Sequence, residues 1–260
     1  MLERHHLFLL KELVKRDFQG RYAGSLLSFL WSFVQPLWML LLFTFVFSVV
    51  LKLKLEQYGV GTDNFGVFLF CGLLPWTAIH EGLQRSTTAI TDNSDVVKKL
   101  RFPSEILVLS LVLGSLLHQA IAAGVFVVVL LVLGELSWAT LPWLLLALPL
   151  QVALTLGLGL LLASSHVFFR DVAQVLGMVL TGWFYFTPIV YPLGMVPDRL
   201  KPWIEANPLT ALVELYRTAF LGRELVLGPA AAGLAVSAAA LAALGLWVFR
   251  RLKPAFVDEI

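Results

Sequence analysis

Six long apolar runs occupy most of this 260-residue chain, which rules out an ordinary soluble fold. The runs are Phe29 to Leu51, Phe65 to Gln84, Ile106 to Leu133, Leu141 to Phe169, Val172 to Val190 and Pro229 to Phe249. Each is close to the roughly 17 to 25 residues that carry a helix across a ~30 Å hydrocarbon layer. The second is interrupted by Pro75, and the fifth is the shortest at 19 residues. None has the polar face of a helix on a soluble core. With 59% hydrophobic residues and a mean hydropathy of +0.85, the chain reads as an all-α membrane protein of six transmembrane helices in one domain, 1–260.

Orientation follows from where Lys and Arg fall. Thirteen of the 19 lie in the N-terminal segment, the second and fourth gaps and the tail: Arg4, Lys11, Lys15, Arg16, Arg21, Arg85, Lys98, Lys99, Arg101, Arg170, Arg250, Arg251 and Lys253. The positive-inside rule then places both termini in the cytoplasm. A net charge of +2 gives no sign of a nucleic-acid partner. The single cysteine, Cys71, sits inside an apolar run, so no intrachain disulfide exists and packing is its expected role. Twenty-eight residues precede the first run and no small-residue cleavage pattern follows it, so that run is expected to stay as an anchor.

Three stretches outside the spans stand out. In residues 1–28, Leu2, Leu9, Leu10 and Leu13 share one side of a helical wheel and Arg4, Lys11 and Lys15 the other, while Phe8 and Phe18 fall off the stripe. That is the pattern of a helix lying in the membrane surface. In the gap 85–105, Asn93 or Ser94 caps a short helix, Val96, Val97 and Leu100 give it an apolar side, and Phe102 before Pro103 ends it. Asp95 lies in its first turn, while Lys98, Lys99 and Arg101 gather at its C-terminal end, where the helix dipole favours cations. This element is the expected contact surface for a cytoplasmic partner; the competing reading is a solvated loop.

The third stretch, 191–228, cannot be one helix. Pro188, Pro192, Pro197, Pro202 and Pro208 fall within 21 residues. Asn207 reads as an N-cap, Pro208 as the first helical residue and Gly222 as the stop, enclosing 13 residues, Leu209 to Leu221. That length suits a re-entrant or interfacial helix, and so a structured gate at the outer face. Aromatic residues gather nearby (Trp183, Tyr185, Phe186, Tyr191) and in the first run (Trp31, Trp38). Interfacial belts account for most such residues. As a pore lining they would offer flat faces to sugar rings.

Polar residues inside the runs, Gln35, His118, Gln119 and Gln151, with His80 and Glu81 near a boundary, are expected to bond helix to helix. The alanines 231, 235, 239 and 243, and Gly159 with Ala163, offer small-residue packing faces. No phosphate-binding loop, nucleophile elbow or zinc spacing occurs, and His80, Glu81 and Gln84 lack the second histidine of a zinc protease helix. An energy-consuming role therefore needs a separate ATP-hydrolysing chain.

Four motifs occur in order: Arg21-Tyr22-Ala23-Gly24-Ser25-Leu26-Leu27-Ser28-Phe29-Leu30-Trp31 ending in Gln35-Pro36; Val97-Lys98-Lys99-Leu100-Arg101-Phe102-Pro103; Arg170-Asp171 with Thr187-Pro188-Ile189 and Tyr191-Pro192; and Asn207-Pro208-Leu209 with Tyr216-Arg217. Together, from near the N-terminus to about Gly222, they resemble the permease subunits of ABC polysaccharide exporters. The resemblance implies a homodimer in the bacterial inner membrane, paired with two ABC ATPase chains that bind ATP and Mg, and no cofactor on this chain. The cargo it implies is a lipid-linked O-antigen, capsule or teichoic acid polymer. It also implies ATPase coupling through Asn93 to Arg101, an aromatic path, and an outer gate carried by Pro188, Pro192, Asn207, Pro208, Tyr216 and Arg217. Arg16 and Arg21, near the mouth, are candidates for the carrier's pyrophosphate. An ABC exporter of drugs or ordinary lipids shares this architecture. An ion-coupled carrier and a membrane-embedded enzyme fit less well, for want of ionisable or convergent polar clusters in the spans.

Overall fold

The computed structural model describes residues 4–21, 30–52, 55, 58–99, 103–222 and 229–260, and among these the regular structure is entirely helical. In chain order the helices are α1 (Arg4–Arg21), α2 (Trp31–Phe43, continued as a π-helix over Thr44–Val50), α3 (Phe65–Thr87), α4 (Ser94–Lys99), α5 (Glu105–Leu133) and α6 (Leu144–Phe168, after a 3-10 turn at Leu141–Trp143). They continue as α7 (Val172–Phe186), α8 (Lys201–Glu205), α9 (Pro208–Leu221), α10 (Pro229–Leu252) and, after a 3-10 turn at Lys253–Ala255, α11 (Phe256–Glu259). Five helical segments are long and apolar enough to cross a membrane; α7 is apolar but shorter.

The bundle is built around α3. Eighty-three per cent of its membrane-length window is buried, against 11% for that of α2 with its π segment. It packs on α5, α6, α9, α2 and α7. Asn64 starts it by accepting from the Gly66 and Val67 amides at 2.9 and 3.3 Å. Ser48 of the π-helix accepts from the Phe65 amide at 3.2 Å. Beside it, Gly66 approaches Thr44 so closely that no Cβ fits. The break expected at Pro75 does not occur. With neighbours on every side the helix passes through the proline, and the Gln151 amide approaches the Pro75 carbonyl at 3.5 Å.

The fifth apolar run differs more. Drawn from sequence to Val190, it is helical only to Phe186, about 22 Å at 1.5 Å per residue. Thr187 precedes Pro188, whose ring drives it into the extended region at φ −94°, ψ 134°. Only Leu176 and Leu180 of α7 are buried.

Of the small residues, Gly159 and Ala163 are buried packing positions as expected, and the alanines of the last span are not, within this chain. The alanines 231, 235, 239 and 243 lie largely outside the packed face of α10, which is formed by Leu234, Ala238, Gly245 and Phe249. Gly157 of α6 and Gly245 of α10 have no room for a Cβ against each other's helix backbones, and Gly159 faces Ser86 of α3. Four-residue spacing of alanine shows that a face is smooth, not that it is covered. Gly157→Leu should therefore lower stability by about 1–3 kcal/mol, and Ala239→Leu by less than about 0.5 kcal/mol, in thermal unfolding of the detergent-solubilised chain. Equal effects would contradict this packing.

Candidate functional site

The residues singled out by sequence gather mainly in two regions, α4 at the start of α5, and α9, which runs from the midpoint of α5 (Gln119 to Tyr216) toward its far end (Thr140 to Ala219). In the first, α4 links α3 to α5. The Asn93 carbonyl accepts from the Val96 and Val97 amides, both at 3.0 Å, so Asn93 holds the position before the helix. Its side chain does not serve as a simple cap, because Nδ2 donates back to the Ala89 carbonyl at 2.8 Å and ties α4 to the preceding turn. Asp95 and Lys98 are exposed, while Ser94, Val96 and Val97 are half-buried. Arg101, with Leu100 and Phe102, lies outside the described residues, as do residues 22–29 of the first motif and the side chains of Lys99 and Arg21.

Beside α4, α1 lies against α5 with Leu9, Leu10, Leu13 and Val14 turned partly inward, and Phe18, expected off the stripe, is half-buried with them. Arg85 of α3 donates to Asp17 of α1 with both terminal nitrogens, Nη1 at 3.0 Å. The same guanidinium lies 3.5 Å from Glu81, whose other oxygen is 3.6 Å from His118 Nδ1. Asp17, Arg85, Glu81 and His118 thus form one connected chain that runs from α1 to the middle of α5. Arg16 borders a cavity of about 260 Å³ that Asp17, Arg85, Asp92 and Asn93 also line. Two cations and two carboxylates share that lining, so Arg16 sits in a balanced rather than a strongly positive environment.

In the second region stands α9, built from the residues the sequence marks. Asn207 Oδ1 accepts from the Leu209 amide at 3.1 Å, Pro208 is the first helical residue, and Gly222 ends the helix in the left-handed region at φ +69°. Asn207 does more than cap. Its Oδ1 also accepts from the Trp183 indole at 3.0 Å, and its Nδ2 donates to Thr187 Oγ1 at 2.9 Å. Trp183, a candidate path residue, is thus tied to the α7–α9 junction. Tyr191 donates to the Tyr185 carbonyl at 2.9 Å, and burial pushes its hydroxyl pKa upward. Pro188 and Pro192 are buried in the turns between.

Tyr216 and Arg217 anchor the middle of α9. Tyr216 donates to Gln151 Oε1 at 2.5 Å and accepts from Gln119 Nε2 at 2.7 Å, and Gln151 Nε2 donates to Gln119 Oε1 at 2.7 Å. Arg217 is wholly buried. Its Nη1 meets Glu214 at 2.7 Å, its Nη2 donates to the Ile189 carbonyl at 2.9 Å, and its guanidinium stacks 3.7 Å above the Phe68 ring. Gly72 leaves the space this side chain needs. Sequence reading placed Gln119 and Gln151 in interhelical bonds but did not join them to Tyr216, because residues 97 and 65 positions apart give no local signal.

Trp31, Trp38, Tyr185 and Phe186 are all exposed, on α2 and α7. They enclose no passage within one chain. Tyr216→Phe, which leaves the paired glutamines without their hydroxyl, should cost about 1–3 kcal/mol of stability; an unchanged unfolding midpoint would show that the triad does not hold α9.

Comparison with known proteins gives one consistent answer. A family model described as ABC-2 type transporter matches residues 9–221. The chain is 31% identical to an O-antigen export system permease protein, RfbA, of Myxococcus xanthus, over 97% of this chain and 95% of the relative. It is 30% identical to the RfbA permease of Klebsiella pneumoniae, over 96% and 94% respectively. It is 23% identical to the polysialic acid transport protein KpsM of Escherichia coli, over 95% and 94%.

Proposed function

We propose, because the chain belongs to the ABC-2 type transporter family, that it is the membrane-spanning permease subunit of an ATP-driven exporter that carries a lipid-linked polysaccharide out of the cytoplasm. The observation that carries this reading is the similarity to O-antigen export permeases over nearly the whole length of both chains. The helical bundle supports it: the long apolar helices suit a multi-pass protein of the inner membrane.

The assembly follows from what one subunit lacks. The aromatic faces of α2 and α7 point away from their own bundle, so a wide path needs a second copy to close it. The proposed complex is a homodimer with two ABC ATPase chains, which bind ATP and Mg. Residues Asn93 to Arg101 face those ATPases, with Asp95 and Lys98 as the exposed described contacts. Closure of the nucleotide-binding partners displaces α4, and the displacement widens a path that Trp31, Trp38, Tyr185, Phe186 and Tyr191 line and that Trp183 borders. Pro188, Pro192, Asn207, Pro208, Tyr216 and Arg217 build the outer gate around α9. Arg16 and Arg21 meet the carrier's pyrophosphate at the cytoplasmic mouth. Both termini are cytoplasmic.

Transport of a lipid-linked glycan into proteoliposomes should disappear when the cognate ATPase is omitted; movement driven by an ion gradient through this chain alone overturns the proposal. ATPase stimulation separates the cargo classes: undecaprenyl-linked glycans should stimulate the complex and small hydrophobic drugs should not. For orientation, impermeant labelling should reach position 98 only from the cytoplasm and position 191 only from outside. Labelling of both from one side would refute the topology.

A further inference from the structure

The basic residues after the last span do more than set orientation. Past Leu252 the chain makes a 3-10 turn and then the single helical turn α11, which opens with Phe256. That side chain is fully buried. Its ring centroid lies 5.2 Å from that of Phe249 on α10 and 6.2 Å from that of Phe168 on α6. The same apolar cluster takes in Ala89 and Ile90 from the turn after α3, Leu107 and Val108 of α5 and Val167 of α6, and both Leu13 of α1 and Val97 of α4 pack against it. It is distinct from the main core around α3. α11 itself touches α4 and α6. At its margin Lys253 Nζ donates to Glu105 Oε2 at 3.0 Å, and Arg250 Nε lies 3.6 Å from the other oxygen, fastening the segment to the first residue of α5.

A helix of six residues such as α4 cannot hold its own shape in water, so its position is set by what it packs on. The ion pair at Glu105 is partly open to solvent and contributes little by itself. We propose that the segment Lys253–Ile260 is a brace for α4, with Phe256 as a positioning residue that makes α4 and the adjoining ends of α6 and α10 move as one body. Displacement of α4 then reaches two spans directly, as well as its covalent neighbours α3 and α5. This rests on the reading of α4 as the ATPase-facing element, and it adds the route by which that contact enters the bundle.

Hydrogen exchange in the detergent-solubilised full chain tests the brace without any ATPase. Phe256→Ala should speed exchange of the amides of residues 94–99 by about tenfold while residues 65–87 stay unchanged. Phe256→Leu should recover most of the protection. Equal exchange of residues 94–99 in wild type and F256A overturns the brace. Should the alanine variant not accumulate, Phe256→Val is the milder truncation; about threefold faster exchange is expected, and no change is equally decisive against it. In the reconstituted complex, glycan exported per ATP hydrolysed should fall about fivefold in F256A and recover in F256L. An unchanged ratio overturns the transmission of movement. A failed exchange experiment counts against the brace alone, since reconstitution of the wild-type complex decides the exporter reading separately.

Discussion

A polar group within the hydrocarbon layer has no water to turn to, and the organisation of this bundle around α9 follows from that constraint. A short helix packed among apolar spans must find partners for its exposed ends and for any polar side chain it carries. Here Asn207 serves the first turn and also joins α7, while Arg217 supplies donors to the Ile189 carbonyl in the turn before α8. Tyr216 adds the link to α5 and α6 through Gln119 and Gln151. Breaking a buried charge from its partners costs far more than the pair gains in forming, so the Glu214–Arg217 pair and the hydrogen bond to Ile189 hold α9 in one position against its neighbours.

The same scarcity explains the arrangement around α1. Asp17 and Arg85 meet where α1 lies against the bundle, and Glu81 and His118 extend the pairing inward. An amphipathic helix that could simply float at an interface is instead held in register with α3. Apolar contact through Leu13 and the ion pair through Asp17 act one turn apart on the same helix.

What the sequence disclosed was whatever depends on neighbours in the chain. The spans, the caps at Asn207 and Gly222, and the amphipathic α1 are local matters of period, length and turn chemistry. The short α7 was legible in principle, since Pro188 restricts Thr187, but the apolar run beyond it hid the boundary. The Tyr216 triad, the Arg217 clamp and the Lys253–Glu105 pair were not readable, because each joins residues whose proximity only the folded bundle creates. The alanine pattern of α10 misled for a related reason: a smooth face and a covered face look alike in one dimension.

The meeting of Gly157 with the α10 backbone has a mechanical consequence. Helices whose main chains touch cannot slide past one another without prising apart a close-packed seam, so α6 and α10 form a stiff slab within each subunit. By contrast, α2 and α7 bury few side chains within one chain. In the proposed exporter that slab takes up the displacement of α4 as one piece, and the width of the opening is set by how far α2 and α7 lean away from it.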